Sequence, residues 1–335
     1  WTFTQPDDNV TTIYEGIREY VGTDIEVVYS NSGRLKGKKS DVSVNTTDPD
    51  LQKLSLQEGG ELNNYAIADA TEKARLCDLA IIAVGGYGIR SEWGLRTYGE
   101  SADRPSIDFY GKQEELVRSI VATGTPVIVV IVNGKPLNNE WITNHIPSIV
   151  DVWEPGMFGG RALAEILFGE VNPSGRLPIT IPRSAGHVPQ YYYQTKSRYL
   201  TGYGLGSSRE DDKPAFPFGF GLSYTTFEYG KPQLNDTVLT TGLPLEVTVN
   251  VTNTGNRVGA ETVQCYIQDE VSSVVTPLML LKGFQKVWLE PGETKMVKIS
   301  IPFNEFGLWN ENMKYVVEPG GFTIMIGSSS ADIKY

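Results

Sequence analysis

Apolar positions along the chain follow two different periods, and the change comes about two-thirds of the way through. In "NVTTIYEGIREYVG", Ile13, Ile17 and Tyr20 recur at i, i+4 and i+7, which predicts a helix capped by Thr11 or Thr12. "IEVVY" (Ile25 to Tyr29) follows as a β-branched run and predicts a short strand. Later "EKARLCD" leads into "LAIIAVGG", and "QEELVRSIVATG" leads into "PVIVVIVNG". These runs are apolar without alternation, as expected for strands covered on both faces of a mostly parallel sheet. "GGRALAEILFG" predicts a further helix, closed by Gly169 and followed by the turn-forming "NPSG". The pattern is that of an α/β layered domain.

From about Leu243 the period is two. Leu245, Val247, Val249 and Val251 share one face, and so do Val263, Cys265 and Ile267. Val297, Ile299 and Ile301 repeat it, then Phe322, Ile324 and Ile326, with "NTGN", "EPGE" and "EPGG" as turns between the runs. Regular short strands with such punctuation predict an all-β sandwich of immunoglobulin or fibronectin type III shape. The expected organisation is an α/β domain over 1–185, a Tyr-, Gly- and Pro-rich linker over 186–224 and a β-sandwich over 225–335.

A chain of 335 residues is long enough for two such cores. Its formal net charge of -11 argues against a nucleic-acid surface. No apolar run approaches the roughly 20 residues that span a bilayer, so no membrane partner is expected. The opening "WTFTQPDDNV" has no basic start, apolar core or cleavage site, and no signal peptide is read in it. Cys77 and Cys265 are expected as separate buried thiols, and His145 and His187 form no metal-ligand pattern with them. Three triplets beginning at Asn45, Asn235 and Asn250 fit the glycosylation sequon, at about the frequency chance supplies.

Candidate chemistry gathers in one loop. "GYGLGS" (Gly202 to Ser207) follows no strand, opens no helix and lacks a Walker lysine, so a phosphate loop is not read there. "AVGGYG" does follow a strand, where open α/β sheets place ligand loops. The stretch from Gly85 to Asp108 holds Arg90, Glu92, Trp93, Arg96, Tyr98, Glu100, Asp103 and Arg104. Aromatic rings beside carboxylates suit a sugar; the same residues also suit a solvated or interdomain loop. A second aromatic cluster, Tyr191, Tyr192 and Tyr193 with Tyr199, Tyr203, Phe216 and Phe218, suits interdomain packing or a ligand platform. Neither histidine sits in a nucleophile motif.

Several long segments resemble glycoside hydrolase family 3, of the periplasmic β-glucosidase and β-xylosidase type. "GGRALAEILFGEVNPSGRLPITIPRS" is similar to the α/β sandwich of that family, and "FPFGFGLSYTTFEY" to the entry of its fibronectin-like domain. "LMLLKGFQKVWLEPGETKMVKISI" and "MKYVVEPGGFTIMIGSSSADI" resemble that last domain. The resemblance implies an α/β sandwich with a mostly parallel sheet and then a fibronectin type III-like domain, preceded in the family by a (β/α)8 barrel that carries the aspartate nucleophile. The family's acid/base glutamate lies on a sandwich loop in an E-x-x-x-R pattern. "ESADRPSIDFYGKQEELV" fits it, with Glu100 at the acid/base position and Arg104 at the following arginine. Tyr110-Gly111 departs from the more usual Pro-Gly or Pro-Gln pair, and Glu92 in "SEWG", the nearest rival, has no family motif around it.

The resemblance therefore implies part of an exo-acting retaining β-glycosidase for terminal β-D-glucosyl residues. Glu100 would be the catalytic acid/base, with Trp93, Tyr98, Tyr191 and Tyr192 as aglycone-side contacts, and no cofactor or metal. A retaining pair needs its two carboxyls about 5–5.5 Å apart, so a barrel-domain piece bearing the nucleophile is the expected partner. Trp1 falls just after the sandwich's first strand in the family pattern, so that strand is expected to be missing, and a nicked enzyme with its barrel piece associated is the favoured form. A periplasmic or extracellular location is implied, and a homodimer of the assembly is left open. A β-xylosidase of the same family, and a non-catalytic carbohydrate-binding or scaffold chain, remain the alternatives.

Overall fold

In the computed structural model, residues 9–30, 64–88, 96–100, 102, 104–195 and 213–335 are described. Contacts divide the chain into two compact units, Trp1–Phe168 with Arg183–Val188, and Gly169–Pro182 with Pro189–Tyr335. The short segment after "GGRALAEILF", Gly169–Pro182, thus groups with the β-rich unit, whereas the expected α/β domain over 1–185 included it.

In the first unit, α1 (Ile13–Val21) starts at Thr12, whose hydroxyl accepts from Glu15 N while the Glu15 carboxylate accepts from Thr12 N, a complete capping box. Next come α2 (Asn64–Ala74), β1 (Ala80–Gly85), α3 (Gln113–Val121) and β2 (Val127–Val132). Then α4 (Glu140–His145), β3 (Ile149–Trp153) and α5 (Gly159–Leu167) complete the unit. The strands pair in parallel in the order β1-β2-β3. Val129 and Val130 are both fully buried, and since neighbours on a strand point to opposite faces, β2 is covered on both. In β1 the exposed Ala83 interrupts that cover, so the unbroken apolar run there does not mean two closed faces. Leu116, Val117 and Ile120 of α3 join Ile67 and Ala70 of α2 and Val129 of β2 in one core.

Helices α1 and α5 meet through glycines. A Cβ on Gly16 would lie 2.2 Å from the Gly160 carbonyl carbon, and one on Gly160 would lie 2.0 Å from the Thr12 oxygen. Glycine in mid-helix costs intrinsic helix stability, which this backbone-to-backbone approach repays by close packing.

One expected strand does not form among the described residues. Ile25 to Tyr29 joins no strand ladder among the described residues, and Ile25, Val28 and Tyr29 are about half exposed. Strand propensity is realised only against a neighbour, and Tyr29 packs on the Tyr14 ring at 4.6 Å instead. Conversely, α4 and β3 went unpredicted; "SIVDVW" carries a short β-branched signal for β3.

The second unit contains β4 (Phe227–Tyr229), β5 (Gln233–Leu234), β6 (Leu245–Asn253), β7 (Gly259–Asp269), β8 (Leu280–Leu289) and β9 (Thr294–Ile301), followed by β10 (Leu308–Trp309), β11 (Tyr315–Val316), β12 (Phe322–Ser329) and β13 (Asp332–Ile333). One sheet runs β13-β12-β7-β8, and the other sets β4 and β5 on one side of β6 and β9 on the other. The alternation expected in β6 and β9 is observed: Leu245, Val247, Val249 and Val251 are buried, as are Val297, Ile299 and Ile301. Strand β7 instead is buried on both faces, because Ala260, Thr262, Gln264 and Tyr266 are covered as well as Val263, Cys265 and Ile267. Its outer face is occupied by chain from 169–182 and 213–224. Leu177 N donates to Phe220 O, Gly219 N to Leu177 O, and the Gln264 amide to Gly219 O. Residues 213–224, expected as linker, are therefore packed structure.

Candidate active site

Strand β1 ends in a glycine that the fold cannot replace. A Cβ on Gly85 would lie 1.8 Å from Val132 O of β2. The Gln113 side chain closes on that residue from α3, accepting from Gly85 N at 2.6 Å and donating to Gly85 O at 2.9 Å. The chain leaving β1 is thus pinned where parallel sheets commonly present ligand loops.

The returning limb of the loop is held twice more. Thr97 N donates to Tyr87 O, while Tyr87 N donates to the Thr97 hydroxyl at 2.8 Å. The Tyr98 ring follows, with a Cβ on Gly86 or Gly134 placed within 2.6 or 2.3 Å of it, so those two glycines make room for the ring. Its hydroxyl donates to Glu154 Oε1 at 2.8 Å, and burial and then the Glu154 carboxylate push its pKa well above the ordinary tyrosine value. Beyond it, Gly99 (φ 99°) begins a turn closed by Ala102 N donating to Gly99 O, and Glu100 stands exposed on that turn. Among the described residues Glu100 has no hydrogen-bond or ion-pair partner. Arg104 secures the descending side: its guanidinium donates to Asp108 O at 3.2 Å and lies over the Tyr110 ring at 5.2 Å. In the middle of β3, burial pushes the Asp151 carboxyl up, although it accepts from Trp153 N.

The sequence candidates separate accordingly. Glu100 and Arg104 lie in the first unit, on an anchored loop. Tyr98, expected as an aglycone contact, is 9% exposed and offers almost no open ring surface. Trp93 and its neighbour Glu92 lie outside the described residues. Tyr191, Tyr192 and Tyr193 belong to the second unit. Tyr192 is a packing residue, stacked on Phe218 at 4.1 Å and accepting from Leu281 N. Tyr191 and Tyr193 stack on each other at 5.0 Å and keep 51% and 42% exposure, so they retain open ring surface. Among the described residues no group of three or more His, Cys, Asp or Glu is placed to hold a metal ion, and no helix is long and apolar enough to cross a membrane. Gln113 and Glu154 were missed by sequence reasoning, since neither carries a local signal for a partner 28 or 56 residues away.

A model of the glycosyl hydrolase family 3 C-terminal domain matches residues 1–224, and one of the fibronectin type III-like domain matches residues 261–330. The chain belongs to glycosyl hydrolase family 3. Among its relatives, a β-xylosidase of Formosa agariphila is 43% identical over 83% of this chain and 38% of its own length. The periplasmic β-glucosidase of Salmonella typhimurium is 32% identical over 100% of this chain and 43% of its own length. A β-glucosidase structure from Erythrobacter marinus superposes with a TM-score of 0.81 at 34% identity, over 97% of this chain and 42% of that one. A β-glucosidase from Listeria innocua in complex with glucose gives 0.73 at 30% identity, over 82% of this chain and 38% of that one. The chain thus spans 38% and 43% of the two curated relatives it matches here. The family 3 assignment agrees with the α/β unit with a parallel sheet followed by a fibronectin-like sandwich.

Proposed function

We propose that this chain is the C-terminal part of an exo-acting retaining β-glycosidase that releases terminal β-D-glucosyl residues, with Glu100 as general acid/base. The observation that carries the reading is the exposed Glu100 on a Gly99-hinged turn, braced by Tyr98 before it and Arg104 after it, in a family 3 chain. The nucleophilic aspartate would come from the family's barrel domain, outside these residues.

In this reading the Glu100 carboxylic acid donates its proton to the glycosidic oxygen as the aspartate attacks the anomeric carbon, which forms a glycosyl ester and frees the aglycone. The resulting carboxylate then takes a proton from water, whose oxygen attacks the same carbon and releases the aspartate. The exposed Tyr191–Tyr193 pair is a second surface suited to sugar rings. A periplasmic location is supported by the name of the Salmonella relative.

The test is Glu100→Gln in the protein that includes its barrel domain. Turnover of disaccharides, which need the acid, should fall about 10²–10⁴-fold. Aryl glucosides with good leaving groups should keep their first step and stall at the ester, and azide should restore turnover as glucosyl azide. Near-normal disaccharide hydrolysis by this variant would overturn the assignment. The 43% identity to a β-xylosidase supports a second substrate reading, decided by comparing kcat/KM for aryl β-glucoside and aryl β-xyloside.

A further inference from the structure

Tyr98 is the anchor nearest to Glu100, and it is an unusual one. The loop is pinned at its base by a main-chain clamp, Gln113 on Gly85, and on its far side by Arg104 on a carbonyl. Two residues before Glu100 the tie is instead a single side-chain hydrogen bond, from the buried Tyr98 hydroxyl to Glu154 at the end of β3. That bond joins the loop leaving the first strand to the terminus of the third. Ring and hydroxyl do separate work. The ring fills the space left by Gly86 and Gly134, whereas the hydroxyl ties it to Glu154 just past β3. Since the hydroxyl is desolvated, losing its acceptor leaves it an incentive to move outward, and Gly99 provides the joint about which Glu100 would swing.

We infer that the Tyr98–Glu154 hydrogen bond is a positioning clasp, setting the height and direction of the turn that carries Glu100. The inference rests on the acid/base reading of Glu100. Neither Tyr98 nor Glu154 touches the reacting atoms; both act through that carboxyl. A hydroxyl held far above its ordinary pKa keeps its proton at every working pH, so the clasp does not open by deprotonation of Tyr98.

The experiment uses the protein with its barrel domain and a series of aryl glucosides of graded leaving-group acidity. Tyr98→Phe keeps the ring and removes the donor. It should lower kcat/KM about tenfold for the poorest leaving groups, a small misplacement by the standard of catalytic geometry, and leave the best ones nearly unchanged. The inhibition constant of a ground-state sugar analogue and the thermal midpoint should stay close to those of the parent. Glu154→Ala should copy the steeper leaving-group dependence, and Glu154→Gln, which keeps an acceptor, should recover most of the loss. Combined with Glu100→Gln, Tyr98→Phe should add nothing further, because its effect passes through the acid. A uniform loss across all leaving groups, or full additivity with Glu100→Gln, would show a merely structural role and overturn the inference. If Glu100→Gln itself leaves the leaving-group dependence unchanged, the acid/base reading fails first and independently.

Discussion

Two glutamates in the two units show how differently one side chain can be used. Glu261 on β7 is 3% exposed, and its oxygens accept from the Tyr229 hydroxyl and the Arg176 guanidinium, each at 2.7 Å. Burial pushes its carboxyl up, while Arg176 and the Tyr229 hydroxyl pull it down. Glu100 is exposed, unpartnered among the described residues, and carried on a turn whose flanks are tied. The first carboxylate is satisfied and spent on structure. The second makes no tie among the described residues of its unit, which suits the acid/base role proposed for it.

The largest test of this contrast removes Arg176. Arg176→Ala would leave Glu261 buried without its counter-charge and should cost about 3–5 kcal/mol in denaturant unfolding. Glu100→Gln should move the same measurement by no more than about 0.5 kcal/mol, as surface substitutions do. Equal destabilisation by the two variants would erase the distinction. Next comes Gly85→Ala at the root of the Glu100 loop. Its Cβ would strike Val132 O, so a loss of about 1–3 kcal/mol is expected by calorimetry, in a loop whose exposed carboxylate costs nothing to change.

A smaller effect separates two exposed carboxylates from each other. Glu15 is exposed like Glu100, yet hydrogen bonds from the Thr12 backbone and then its hydroxyl hold its carboxyl below the usual glutamate range. Thr12→Ala should cost about 1 kcal/mol near neutrality. Because the Glu15 value is depressed on folding, its contribution is complete above the ordinary glutamate range and is lost as pH falls through the depressed value. Thr12→Ala removes the hydroxyl bond to that carboxylate but keeps the larger one from the residue 12 N–H, so the two stability curves should draw only partly together in acid. The lost cap bond from Glu15 N keeps them apart, and this convergence is the smallest effect in the series.

What could be read from the sequence follows from what is local. The helix at Ile13–Val21, its Thr12 cap and the alternation in β6 and β9 depend on neighbours a few residues away, and they were legible. The proposal of Glu100 as acid/base rests on the E-x-x-x-R pattern and the family resemblance; periodicity alone leaves it an ordinary loop charge. The rest depends on pairings far apart in the chain. "IEVVY" has strand composition but no described partner, so composition misled. β7 alternates in sequence terms, yet both faces are covered because a distant segment lies over Gln264 and Tyr266. Tyr98 looked like a ligand aromatic, since nothing nearby shows that Gly86 and Gly134 leave room for its ring or that Glu154 awaits its hydroxyl.

The bond between Arg176 and Glu261 bears on recombination as much as on stability. Exchanging fibronectin-like domains between relatives invites a crossover near residue 225, where the β-pattern becomes obvious. A graft cut there would import the carboxylate and leave its guanidinium, on Gly169–Pro182, with the recipient. Crossovers placed just after Phe168, with the Arg183–Val188 return kept from the recipient, would move lock and key together.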